Sequence, residues 1–306
     1  FTREMIMHAV LVFLIPLSAM TGLFFFFFFY REIMRSEKGE ARTEEIAGCV
    51  RDGAYAYRRR QYSVVGLVFA VLALMLFFLS ASGLQSPLVP IAFLSGGFLS
   101  AFSGYLGMKT ATNASSRTVQ ASRTSLNKAL KIAFRSGVVF VLVVVGLGLL
   151  YVFSWYIFLD YAVYSKKNLA DGLSFLGMDF VQKGMSAEGR LSAITITMLT
   201  FGMGASTQAL FARVGGGIVT MGADMADNVG DNVGDVAGMG ADLFVSYCGS
   251  ILAAAALGGA IPASSSFGGE KAVLAPMIVS ALGILFSVAG IFAVRPGEAS
   301  KMSSLL

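Results

Sequence analysis

Long apolar runs separated by short polar stretches dominate the chain, at residues 5–30, 62–82, 87–109, 136–164, 191–213, 236–262 and 272–294. Each reaches the length of about 20 residues that an α-helix needs to cross a bilayer. The pattern predicts an all-α polytopic membrane protein, a single transmembrane helical domain over residues 1–306 with seven helices in this chain. The first run is too long, and too lacking in a cleavage site, to read as a signal peptide.

Two polar connections, 31–61 and 110–135, are among the longest. The second is rich in Ala, Leu, Arg and Lys and has no proline from Lys109 to Arg135, so it reads as helix that extends the third and fourth spans. Pro87 and Pro90 open the third span, where the first turn tolerates a missing N–H. Gly96, Gly97, Gly104 and Gly107 in that span, and Gly202 and Gly204 in the fifth, predict close helix packing. The six phenylalanines from Phe24 to Phe29 read as lipid-facing bulk. No internal repeat is visible.

Composition agrees with the pattern. Mean hydropathy is +0.74. Only 13% of residues are charged, against about 25% in a soluble domain. The net charge of +5 matters through its placement. Arg31, Arg35, Lys38, Arg42, Arg51, Arg58, Arg59 and Arg60 lie between the first two spans, and Lys109, Arg117, Arg123, Lys128, Lys131 and Arg135 between the third and fourth. The second connection has no Lys or Arg. Short basic loops stay in the cytoplasm, so the expected orientation is N-terminus out, odd-numbered connections in. Membrane orientation accounts for the basic residues, and no nucleic-acid partner is expected. Cys49 and Cys248 lie in very different segments and suggest neither disulfide nor metal pair. His8 is the single histidine, which excludes a histidine-based metal site or triad.

The chemistry concentrates in ADNVGDNVGDVAGMGADLF, residues 226–244. Asp227, Asp231 and Asp235 recur every four residues, Asn228 and Asn232 sit beside the first two, and Asp242 follows seven residues after Asp235. At 3.6 residues per turn these carboxylates form one slowly drifting stripe of a helix. Ionisable residues within a membrane span usually face a cavity and mark an ion or substrate path. The bland reading has the acids pairing with basic residues of neighbouring helices. The functional reading is a multi-Mg²⁺ site at the cytoplasmic mouth of the bundle, suited to phosphoryl chemistry. Just upstream, RVGGGIVTMGADM (213–225) has three glycines but no GxxxxGK[ST], so a P-loop is excluded. Those glycines also read as a kink or cap. Asp224 is close enough in sequence to join the metal cluster.

The chain resembles the membrane-integral pyrophosphatases, which couple pyrophosphate hydrolysis to H⁺ or Na⁺ transport. GAYAYRRRQY (53–62), SGYLGMKTAT (103–112), SRTVQASRTSLNKALKIAFRSG (116–137), RVGGGI (213–218) and above all the aspartate stripe carry the resemblance. It implies a homodimer, each subunit a bundle of about sixteen membrane helices whose backbones satisfy themselves internally. It implies Mg²⁺–pyrophosphate at the cytoplasmic helix ends, with K⁺ or Na⁺ as further cations. By resemblance Asp224, Asp227, Asp231 and Asp235 are metal ligands, Asp235 and Asp231 are the catalytic residues, and Asp235 is one of two aspartates that hold the nucleophilic water, the other belonging to the family's second half. Arg213 and Asp242 fall on ion-path positions below the substrate. The expected location is a prokaryotic inner membrane, with a plant or protist vacuolar membrane as the alternative.

Departures from the family pattern set a second reading beside the first. The family's aromatic-Thr-Lys after RVGGGI is Val219, Thr220 and Met221 here. Between Met225 and Ala226 the family carries a further acidic, proline-rich loop of about twenty residues, a length at which loops usually carry function. A gate glutamate three or seven residues after Asp242 is replaced by Val245 and Gly249. The family's second half, with further ligands and substrate-binding lysines, is absent. These 306 residues therefore read as a partial chain, inactive by itself, of an ion-translocating inorganic pyrophosphatase. The alternatives are a non-hydrolytic channel or carrier, or an inactive relative, that keeps the aspartate helix. A purely structural membrane subunit is disfavoured, because the stripe is costly without a ligand.

Overall fold

The computed structural model describes residues 2–175, 178–222, 231, 236, 238–262, 264–265 and 268–294. Long helices account for nearly all of them: α1 (Thr2–Arg35), α2 (Ala41–Ala81), α3 (Val89–Ser122), α4 (Leu126–Ile157), α5 (Lys166–Asp171), α6 (Ala187–Gly222), α7 (Met239–Gly259) and α8 (Glu270–Ala293). All except the short α5 are long and apolar enough to cross a membrane, matching the seven runs read from the sequence. Their backbones bond within each helix, which is the requirement hydrocarbon imposes on any chain that crosses it.

Local chemistry sets several boundaries. At the end of α2, Gly83 takes φ 74°. Its N–H donates to the Ser80 carbonyl at 3.0 Å, and the N–H of Leu84 reaches back to Leu79 at 3.1 Å. This paired closure satisfies two carbonyls left over at the helix end and favours the residue without a Cβ. Pro90 occupies the first turn of α3, as its position in the sequence predicts. The connection 110–135 is helical on both sides of a short break at Arg123–Ser125. Other features are absent from the periodicity. The helix α2 begins at Ala41, so much of the polar connection 31–61 belongs to a helix that runs unbroken into the membrane span. The fourth connection carries α5 and a small antiparallel hairpin of β1 (Leu173–Phe175) and β2 (Met178–Val181), pairing Leu173 with Val181 and Ser174 with Asp179.

In the bundle, α3 packs most extensively on α6 and α4, α6 on α7, and α1 on α4 and α8, with α2 outermost against α3. Glycine permits the tightest crossing. A Cβ built on Gly96 would lie 2.0 Å from the Phe201 carbonyl oxygen of α6, and one on Gly204 would lie 1.9 Å from the Phe93 carbonyl oxygen of α3. Gly97 and Gly107 receive the rings of Phe69 and Phe140 in the same way. Small residues let membrane helices approach closely enough for dispersion to hold them, since lipid supplies no hydrophobic drive between helices. The phenylalanine run divides its faces. Phe24, Phe27 and Phe28 are exposed, while Phe29 is buried and, with Phe25, stacks against Phe292 of α8. Part of that run is therefore core, correcting its reading as lipid-facing bulk.

Ion pairs join the helices at both ends. At one end Glu32 of α1 pairs with Arg135 of α4. At the other, Arg190 at the start of α6 pairs with both Asp160 (3.3 Å) and Glu270. Asp160 lies in a π-helical turn, Phe158–Val163, that ends the fourth span. Cys49 is exposed and Cys248 buried, and both are free thiols.

Gly204→Ala should lower the thermal stability of the detergent-solubilised protein by about 1–3 kcal/mol, because its methyl group collides with backbone rather than with a side chain. Gly66→Ala, which meets nothing within 4 Å, should leave stability unchanged or raise it by up to about 1 kcal/mol. Thermal unfolding of the two variants in parallel checks the contrast.

Candidate active-site region at the ends of α6 and α7

The stretch that follows α6 and leads into α7 carries the aspartates singled out in the sequence. Asp224, Asp227 and Asp235 lie outside the described residues, and Asp231 is described and exposed. The described part of α7 begins at Met239, so Asp242 sits in its first turn. A carboxylate at a helix N-terminus is favoured by the exposed N–H groups there.

Arg213 stands on the last part of α6, 29 residues before Asp242. The two side chains meet across the α6–α7 contact, Arg213 Nη1 donating to Asp242 Oδ2 at 3.0 Å. Close helix approach brings them together. A Cβ on Gly238 would touch the Ala212 carbonyl and the Arg213 Cα at 3.5 Å, so the start of α7 rests directly on the backbone of α6. Gly240 in turn admits the ring of Phe140 and lies against the Cα of Gly104. Both members of the pair remain accessible, with side-chain exposures of 72% and 43%. They lie on a face of α6 and α7 that also exposes Ser206, Ser246 and Ser250.

The charge balance around the pair is one-sided. Between residues 191 and 269, Arg213 is the single Lys or Arg against Asp224, Asp227, Asp231, Asp235 and Asp242. Arg213 is committed to Asp242, which leaves the other acids without a cation from this stretch. Among the described residues no group of three or more His, Cys, Asp or Glu side chains is placed to hold a metal ion. The expected cluster falls almost wholly on residues outside the description.

One neighbour escaped the sequence reading. The end of α6 is braced by α2, where Gln61 Nε2 donates to the Phe211 carbonyl at 3.0 Å. A Cβ on Gly215 would lie 2.5 Å from the Tyr57 hydroxyl. At least one of the three glycines therefore serves close packing. One turn from these contacts, Arg58 is buried. Its Nε–H donates to the Tyr62 hydroxyl at 2.9 Å, and its guanidinium lies over the rings of Tyr62 and Tyr105. Ring faces stabilise a desolvated guanidinium. The segment RRRQY contained these residues, but its helical spacing alone could not single out which arginine turns inward.

Comparison with known proteins identifies the family. The profile of the family described as "Inorganic H+ pyrophosphatase" matches residues 20–226 and 225–305. The match breaks where the sequence predicts a loop to be lacking, between Met225 and Ala226. A protein of Bacteroides thetaiotaomicron with the provisional name K(+)-stimulated pyrophosphate-energized sodium pump is 48% identical over 98% of this chain and 42% of its own length. That alignment runs over 327 positions, more than the 306 residues here, so the relative carries residues that this chain lacks. A Methanosarcina mazei protein named K(+)-insensitive pyrophosphate-energized proton pump is 35% identical over 97% of this chain and 42% of its own. A Moorella thermoacetica protein named K(+)-insensitive pyrophosphate-energized proton pump 2 is 33% identical over 93% of this chain and 40% of its own. The chain thus spans about two fifths of the length of the curated relatives it matches. With matches covering nearly every described helix, and the acid-rich stretch between α6 and α7 included in them, the chain belongs to the inorganic H⁺ pyrophosphatase family.

Proposed function

We propose that this chain forms the aspartate-bearing portion of a membrane pyrophosphatase that couples hydrolysis of Mg²⁺–pyrophosphate to movement of H⁺ or Na⁺ across the membrane. The observation that carries the reading is the Arg213–Asp242 pair, set on an accessible face at the α6–α7 contact, just beyond four further aspartates. Charged groups are costly in a bilayer interior and are kept where they line a path or hold a ligand.

Asp224, Asp227, Asp231 and Asp235 with Asn228 and Asn232 offer only oxygen donors, which suits Mg²⁺ rather than a softer metal. When bound, Mg²⁺ neutralises phosphate oxygens and withdraws charge from the leaving group. The role assigned to Asp235, with Asp231 four residues before it in the sequence, is to orient the attacking water and accept its proton. Arg213 and Asp242 provide a further charged step at the α6–α7 contact, where a released proton or an entering Na⁺ can exchange with the pair. Relatives named for sodium and for proton pumping match this chain alike, so the transported ion is left open between the two, as is stimulation by K⁺. A homodimer completes the proposal, with the basic connections 31–61 and 110–135 in the cytoplasm.

The open face of α6 and α7 fits a chain whose relatives are more than twice as long, because additional helices would enclose the path. The competing reading, a non-hydrolytic channel or carrier, draws on Met221, Val245 and Gly249, which replace a substrate lysine and two candidate gate positions.

Asp231→Ala and Asp235→Ala in the full-length protein should each reduce Mg²⁺-dependent phosphate release by about 10²-fold or more, with the folded yield retained. Near-normal release by wild type and by both variants would remove the catalytic assignment, and no release by wild type would favour the channel reading. Asp242→Asn should instead preserve most of the hydrolysis and lower ion uptake into vesicles by about tenfold, read as the ratio of ions moved to phosphate released. For orientation, a cysteine placed at Ser86 should react with impermeant reagent from the outside and one at Arg123 from the cytoplasm. The reverse pattern would invert the topology.

A further inference from the structure

Three clefts run into one another along one side of the bundle. The first is a cavity of about 400 Å³ at the ends of α1, α3 and α4, lined by Arg117, Lys128, Lys131 and Arg135 together with Glu32 and Glu37. The second, about 340 Å³, shares Lys131 and Arg135 with it and adds the rings of Phe29, Phe134 and Phe292. The third, about 460 Å³, shares Phe134 and Ile291 with the second and continues between α4 and α8 past Val138, Val141 and Val145. The path is basic at its mouth and apolar along its length.

Among the described residues that line the mouth, Arg117, Lys128, Lys131 and Arg135 outnumber Glu32 and Glu37. Glu32 is taken by Arg135. Among the described residues no carboxylate lies within ion-pair distance of Arg117, Lys128 or Lys131. Arg117 is 4% exposed. Its other nitrogens reach the backbone carbonyls of Asn113 and Met34, while its Nε–H has no acceptor. That nitrogen is itself shielded, but Arg117 lines the cavity, so an anion there offsets a guanidinium charge that no carboxylate among the described residues neutralises. Lys128 and Lys131 are exposed on the same rim and free to close over that anion.

We propose that this path binds an anionic glycerophospholipid, its phosphate held by Arg117, Lys128 and Lys131 and one acyl chain laid along the α4–α8 groove. Length supports the assignment. Phe134 to Val145 is eleven residue steps along α4, about 16 Å of helix at 1.5 Å per residue. One leaflet is half of the roughly 30 Å hydrocarbon core. A free phosphate has no use for an apolar groove of that length opening from its cavity. Basic pockets between membrane helices are also the setting in which anionic headgroups are recognised. The proposal does not rest on the pyrophosphatase chemistry, since none of the described residues lining the three clefts is a site aspartate.

The test is made on the full-length protein, purified in mild detergent and re-equilibrated with equal amounts of phosphatidylglycerol and phosphatidylcholine. Bound lipid is read by native mass spectrometry. Phosphatidylglycerol should be retained in preference. Lys128→Gln/Lys131→Gln should lower its retention about tenfold or more, and Val141→Trp, which fills the groove, should lower it comparably. Lys166→Gln/Lys167→Gln, at the other end of the bundle, should leave it unchanged. Thermal unfolding identifies any variant that has lost its fold, and the double lysine variant, altered only at exposed positions, then decides. Absence of retained anionic lipid from wild type would show that another part of the longer protein covers the groove. Equal retention by the double lysine variant would overturn the headgroup assignment. Displacement by millimolar inorganic phosphate, with Val141→Trp behaving as wild type, would make this a free-anion site. Each of these three results overturns the proposal.

Discussion

Everything at the α6–α7 end of this protein depends on how closely α6 approaches α3. The carbonyl oxygens of Phe93 and Phe201 occupy the space that side chains on Gly204 and Gly96 would fill, so the two helices meet backbone to backbone. In a bilayer that contact is held by dispersion and shape alone, because exposing the same surfaces to lipid would cost little. A helix positioned by its own backbone is positioned closely. It delivers Arg213 to within hydrogen-bonding distance of Asp242, and it brings the end of α6 against Tyr57 and Gln61 of α2.

Three arginines show how cations are kept in the bundle. Arg190 ties the π-helical end of the fourth span to the start of α8 through Asp160 and Glu270. Arg58 is buried under tyrosine rings without a carboxylate among the described residues at ion-pair distance. Arg213 is accessible and paired. These arginines illustrate three ways of keeping a cation at the edge of an apolar bundle: two acids, two rings, or one acid on a face left open. The last is the arrangement that can exchange its partner, and for that reason it lies at the centre of the functional proposal.

Hydrophobic runs, the proline start of α3 and the small-residue faces of α3 and α6 were all legible in the chain, because each is a local rule acting on neighbouring residues. The aspartate stripe was legible in the same way, as a four-residue repeat, although most of it lies outside the described residues. Arg213 and Asp242 were singled out by family resemblance rather than by spacing, and their pairing is visible only in the structure. The continuity of α2 from Ala41 was obscured by charged residues that a helix end at the membrane surface readily accepts. The β1–β2 hairpin is too short to leave a periodic signal.

The amino-acid order by itself therefore determined that the described residues hold seven helices long and apolar enough to cross a membrane, which of them carry glycine faces, and where acid is concentrated. Those follow from transfer energies and helical geometry, which act residue by residue. Tertiary structure alone decided that Gly96 and Gly204 share one crossing, that Arg58 rather than Arg59 or Arg60 turns inward, and that Arg117 and two lysines border a groove leading into the hydrophobic layer. These pairings join residues tens of positions apart. No local preference specifies them, and they arise only when the helices have found the packing that fills the space between them.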